Sequence, residues 1–172
     1  MNRSARALSV RAMLVACAIL LGWVERMLPP FLPMIPGAKL GLANLATLTT
    51  LALMDAPSAL LVCVARTLLG AFMFGSASAL PYALSGGVAA WAVMALSRRM
   101  FNLPGISLLG GVAHNITQIA VASLMFANAG LWGYAPYLIA VGSVSGFLLG
   151  WAANHITRRL PSGLISLNNK SK

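Results

Sequence analysis

Apolar runs of about twenty residues, each closed by a proline, a glycine turn or a basic pair, recur along the chain and restrict its folds more than any other feature. A run of that length crosses the hydrocarbon core of a bilayer as an α-helix, and only helices or closed barrels satisfy their backbone there. Composition agrees: 59% of the 172 residues are hydrophobic and 8% are charged, against about a quarter charged in soluble domains. The chain reads as an all-α integral membrane protein.

Taken in order, the runs place six transmembrane helices at about 10–28, 40–54, 57–75, 79–97, 106–127 and 132–156. Pro29-Pro30 closes the first, and the proline-rich stretch 31–36 reads as an outer-side loop or re-entrant turn. The second is short for a span. Asp55-Ala56-Pro57-Ser58 forms a tight inner turn with Pro57 at or near the first position of helix three. Gly75-Ser76-Ala77-Ser78 and Asn128-Ala129-Gly130 turn on the outer side, and a loop through Asn102, Pro104 and Gly105 turns on the inner side.

The net charge of +10, from 12 Lys+Arg against 2 Asp+Glu, would suggest nucleic acid on a soluble domain. Here the basic residues sit at helix ends: Arg3, Arg6 and Arg11 before the first run, Arg98 and Arg99 after the fourth, and Arg158, Arg159, Lys170 and Lys172 after the last. That is the positive-inside pattern. It puts both termini in the cytoplasm of a bacterial inner membrane, an even number of spans agrees, and nucleic acid drops out as a partner. The organisation is one six-helix transmembrane domain over 1–160, compact because Gly86-Gly87, Gly110-Gly111, Gly142 and Gly146 let backbones approach, with a short polar cytoplasmic tail over 161–172. Trp23, Tyr82, Trp132, Tyr134 and Tyr137 fall at the outer interface.

Leu14-Val15-Ala16-Cys17 has the look of a lipoprotein cleavage box, but Arg11 leaves too short an apolar core before it and the run continues to Trp23. A retained first helix is the better reading. Cys17 and Cys63 lie in different runs at different depths, so they read as unpaired, small buried hydrophobes.

Charged groups at bilayer depth cost at least about 2.5–3.5 kcal/mol, which makes each a functional candidate. Arg66, near the centre of helix three, has two readings, an ion pair with Glu25 of helix one or contact with a ligand. Adjacent helical residues point about 100° apart, so Arg26 is expected at the outer headgroups with Glu25 turned inward. Lys39 also has two readings. It either snorkels, or it meets a ligand beside Gly37 and Gly41, whose backbone N–H groups at a helix N-terminus favour an anion. Helix five adds His114, Asn115, Thr117 and Gln118, four polar groups that lipid cannot satisfy and that therefore read as the lining of an interior cavity. Asn154 and His155 read as interfacial, and Asp55 as a turn or capping residue. With no metal-ligand spacing, nucleophile arrangement, carboxylate pair or nucleotide loop, the chain is expected to carry no metal or cofactor and to be no enzyme.

Several of these residues stand in recognisable blocks: Glu25, Pro33, then Pro36-Gly37-Ala38-Lys39-Leu40-Gly41-Leu42-Ala43-Asn44-Leu45-Ala46-Thr47-Leu48, Arg66-Thr67-Leu68-Leu69-Gly70 with Phe74-Gly75, Leu84-Ser85-Gly86-Gly87, and Gly110 through His114-Asn115-Ile116-Thr117-Gln118. Over residues 12–155 the chain resembles the Gx transporter family, also labelled heptaprenyl diphosphate synthase component I, which itself resembles the substrate-binding (S) components of energy-coupling factor transporters. The resemblance implies an S-component-like bundle that captures a vitamin or metabolite at the outer face, and the charge balance of Lys39, Arg66 and His114 against few acids makes an anion, such as an isoprenoid or nucleotide-type phosphate, the expected ligand. Its binding residues would come from Glu25, Gly37, Lys39, Gly41, Asn44, Arg66, His114, Asn115 and Gln118. It also implies a transmembrane coupling protein with two ATPases as partners, docked through Ala12 and Ala16. The alternative implied by the second label is a non-catalytic membrane subunit working with a polyprenyl synthase, or with a flavoprotein in an electron-transfer assembly. Prenyl synthases of the familiar type use aspartate-rich clusters, and this chain holds only Glu25 and Asp55 as acids.

Overall fold

The computed structural model describes residues 3–27, 41–74 and 77–159. Six α-helices account for most of them: α1 Arg3–Met27, α2 Leu42–Leu53, α3 Ala56–Phe74, α4 Leu80–Ser97, α5 Leu103–Met125 and α6 Ala135–Arg159. Short 3₁₀ segments at Ala77–Ala79 and Ala129–Tyr134 lead into α4 and α6, and no strand occurs among the described residues. The proline-rich stretch with Gly37 and Lys39, and the tail beyond Arg159, lie outside the described residues.

Five of the helices are long and apolar enough to cross a membrane. The exception is α2, whose 12 residues reach about 18 Å at ~1.5 Å per residue, against a hydrocarbon core of about 30 Å. The perimeter is apolar, with Leu8, Phe72, Leu96, Leu124 and Trp151 all exposed. Such a surface suits lipid and not water.

Helix ends differ from the sequence expectation where local chemistry, not hydropathy, sets them. α1 begins at Arg3 because hydropathy marks only the buried part of a helix, and Arg3-Ser4-Ala5-Arg6-Ala7-Leu8 continues it with good helix formers. The 102–105 segment is the start of α5 and not a loop: Asn102 caps it by accepting from Gly105 N at 3.1 Å, with Pro104 in the first turn, where its missing N–H costs nothing. α6 runs on to Arg159, with Arg158 and Arg159 complementing the dipole of its last turn.

α1 packs on α2 and α3, α5 packs along both α4 and α6, and α2 lies between the two groups, touching helices of each. Three glycines spaced one turn apart on α6 seat it on α5. A Cβ at Gly142 would stand 2.8 Å from Gly111 O, at Gly146 2.6 Å from Ser107 O, and at Gly150 2.6 Å from Pro104 Cα. These are backbone contacts that no larger residue fits.

The end of the bundle that carries the start of α1 and the end of α6 is densely packed. Leu48, Leu51, Ala59, Ala90, Met94, Ile106 and Ala153 from five helices form one buried cluster there. Trp91 Nε1 donates to Ala56 O at 2.8 Å, and Asp55 caps α3 by accepting from Ser58 N at 2.7 Å. Arg11 Nε donates to Ser58 Oγ at 2.9 Å. Burial alone would raise the Asp55 carboxyl, but the Ser58 hydrogen bonds and the charges of Arg11 and Arg98 outweigh it and hold the group below its ordinary value. Both cysteines are free, as their separation in the sequence suggested. Cys63 is fully buried, whereas Cys17 is exposed on the lipid side of α1, because residues 14 and 18 take the inward face of that helix.

Candidate functional site

At the opposite end the same helices splay around a hollow of about 440 Å³. Its floor is polar. Arg66, on the inward face of α3, reaches to α2, where Nη2 donates to Asn44 Oδ1 at 2.5 Å and Nε donates to Thr47 Oγ1 at 3.2 Å. A longer contact runs to Cys63 Sγ at 3.9 Å. From the facing side α5 brings His114, Asn115 and Gln118 to the same space. Asn115 is held by donating from Nδ2 to Leu138 O of α6 at 2.6 Å. Gly86 of α4 makes room for the other two: a Cβ there would meet Gln118 Cγ at 2.7 Å and His114 Nδ1 at 3.1 Å.

The mouth of the hollow is formed by the end of α1 and the start of α2. Gly41 takes φ 77°, ψ 30°, the left-handed conformation that glycine adopts without strain, and turns the chain into α2. Its N–H donates to Glu25 Oε1 at 2.5 Å. The positive end of the α2 dipole is therefore complemented by the chain's own carboxylate, and the expectation that the Gly41 N–H is kept for an external anion is corrected. Arg66 likewise takes Asn44 and Thr47, not Glu25, as its hydrogen-bond partners. The reason is position: Glu25 lies at the mouth, engaged with Gly41, while Arg66 lies at the level of the second turn of α2. Arg26 lies over the Phe74 ring, 4.7 Å from its centroid, a cation–π arrangement.

Seven of the residues singled out in the sequence line this one hollow: Glu25, Gly41, Asn44, Arg66, His114, Asn115 and Gln118. Thr117 is not among the lining residues, because α5 turns it away from its neighbours. Ala12 and Ala16 lie exposed on the outside of α1. A smaller void of about 30 Å³, lined in part by Asn44, His114, Ser107 and Ser145, lies below the floor between α2, α4, α5 and α6.

A family model described as heptaprenyl diphosphate synthase component I matches residues 14–156. The chain belongs to that family. Comparison with characterised proteins and with solved structures returned no match.

In this component I family member the lining also includes Thr67, Gly70, Ala71 and Phe74 of α3 and Tyr82 of α4, none of which was among the binding residues expected from the sequence. The signal for α3 was present. Residues 66, 70 and 74 follow one another at single-turn spacing, as do 67 and 71, so once Arg66 faces inward the others share its face.

Proposed function

We propose that this chain is the membrane-embedded, S-component-like substrate-binding subunit of a transporter, capturing a small anionic metabolite at the face opposite its termini. The observation that supports the reading is the convergence of Asn44, Arg66, His114, Asn115 and Gln118, from three helices, on one hollow of about 440 Å³. A volume in the range of about 300–1,000 Å³ is typical of sites for small organic molecules. The basic residues at the closed end, Arg11, Arg98, Arg99, Arg158 and Arg159, support a cytoplasmic placement of that end by the positive-inside rule, with the hollow facing outward from a bacterial inner membrane. Gly37 and Lys39, which lie outside the described residues, are proposed as further ligand contacts. The chain has no nucleotide-binding motif, so ATP-driven release falls to a coupling protein and ATPases docked at the exposed Ala12 and Ala16 face.

The family's name supports a second reading, in which a component I presents a lipid-like substrate to a separate prenyl synthase and does no chemistry itself. Affinity purification of the full chain from its membrane, followed by native mass spectrometry, separates the two. Recovery of a small anion with a coupling protein and ATPases supports transport, whereas recovery of a soluble prenyl synthase supports the second reading and contradicts the first.

A further inference from the structure

The hollow sets a cation on its floor beneath an apolar wall, and the pairing specifies a ligand class. Resting on the capture reading above, we infer that the ligand is an amphipathic organic anion that binds head first, its charged group at Arg66 and its apolar body toward the mouth.

Two observations carry this. The chain has two acidic residues, and neither is a hydrogen-bond partner of Arg66: Asp55 caps α3 at the closed end, and Glu25, at the mouth of the hollow, receives the Gly41 N–H. The Arg66 guanidinium is bound to neutral oxygens on Asn44 and Thr47 and to the Cys63 sulfur, through Nε and Nη2. Its Nη1 donors have no acceptor among the described residues, so a cation at mid-membrane depth faces the hollow with hydrogen-bonding capacity in hand and no carboxylate beside it. A ligand anion supplies both.

The second observation is what stands above that floor. One to two turns nearer the mouth an apolar wall is formed by Gly22 of α1, Ala71 and Phe74 of α3, and Leu80 and Ala83 of α4, with Glu25, Arg26 and Tyr82 at the rim. A bare inorganic anion would leave this apolar space empty, and an uncharged apolar molecule would leave Arg66 without a counter-ion. The molecule that satisfies both is compact, apolar over most of its surface and anionic at one end. A soluble metabolite and a bilayer lipid can both have that chemistry.

The test uses the full chain in zwitterionic lipid nanodiscs, titrated calorimetrically with naphthyl phosphate, naphthol and inorganic phosphate, with empty nanodiscs as blanks. Naphthyl phosphate is expected to bind at least tenfold more tightly than either of the others. R66Q should erase its advantage over naphthol, and its loss should exceed that of R26Q at least tenfold. Because R66Q removes hydrogen bonds, Asn44→Asp provides an independent variant: it places a carboxylate on Arg66, so it should keep or raise the melting temperature while weakening naphthyl phosphate at least tenfold. Equal binding of inorganic phosphate or of naphthol overturns the amphiphile, and a larger loss in R26Q than in R66Q overturns the head-first orientation. No binding of any probe by folded protein removes the capture reading itself. Repeating the titration in phosphatidylglycerol nanodiscs separates the sources within the supported class: a tenfold competitive loss points to a lipid, and retained affinity to a soluble anion.

Discussion

Arg66 on α3 and Asn44 on α2 are joined across the floor of the hollow by a hydrogen bond from Nη2 to Oδ1. The link makes the only charge at mid-span on α3 part of both the packing and the site. Replacing Arg66 with Met should therefore separate the two roles. It removes the hydrogen bonds to Asn44 and Thr47 but also removes the cost of holding a cation in an apolar setting. Ligand-dependent stabilisation is expected to vanish, while the unliganded protein loses less than about 2 kcal/mol. Thermal unfolding with and without the co-purifying ligand checks this, and unchanged ligand-dependent stabilisation would take Arg66 out of the site.

Glu25 tests the mouth. Its carboxylate complements the start of α2 through the Gly41 N–H, and Glu25→Gln keeps an acceptor while deleting the charge. The expected loss is about 0.3–1 kcal/mol, the ordinary worth of an anion at a helix N-terminus. Denaturation in mild detergent measures it. A stabilising effect of the change would contradict the capping role.

The seam between α5 and α6 predicts a contrast among glycines. A side chain at Gly146 or Gly150 meets backbone atoms of α5 at 2.6 Å, whereas one at Gly133 meets nothing within 4 Å. Gly146→Val and Gly150→Val are expected to cost about 1–3 kcal/mol or more through overpacking. Gly133→Ala should fall within about 0.5 kcal/mol of the parent. Melting temperatures of the three variants side by side decide whether the seam is as tight as described.

Asp55 gives the closed end a pH dependence with a defined sign. Its folded value is lowered, so its contribution to stability is fully present above the ordinary carboxyl value of 3.8 and is lost as pH falls through the lower folded value. The stability difference between the parent and Asp55→Asn should hold steady from neutral pH down to about pH 5 and shrink below about pH 4. A difference that grows on acidification would reverse the sign of the argument.

The bundle was legible because apolar run length and basic flanks are properties of single segments, readable without knowing any contact. What escaped was set by local or tertiary partners. The Asn102 cap moved the start of α5 back through a proline and a glycine that read as loop. At the site, Arg66, His114 and Gln118 stood out because polar groups are conspicuous in apolar helices. Phe74, Ala71 and Thr67 were not assigned to it, since an aromatic or small residue on a membrane helix looks the same facing lipid or ligand. The choice of Glu25 as the acceptor for Gly41, in place of a partner for Arg66, depends on the relative heights of three helices, and no single segment encodes that.

The claim on which the rest stands is that the hollow opens to the face opposite the termini, and thiol accessibility tests it most directly. Ala71→Cys and Ala83→Cys, which line the hollow, would each be introduced with Cys17 replaced by Ser, Cys63 being fully buried. A membrane-impermeant, negatively charged methanethiosulfonate would then be applied to intact cells and to inverted vesicles. Rapid labelling of both positions in intact cells and little in inverted vesicles is the expected result. Labelling only in inverted vesicles, or in neither preparation, would contradict it.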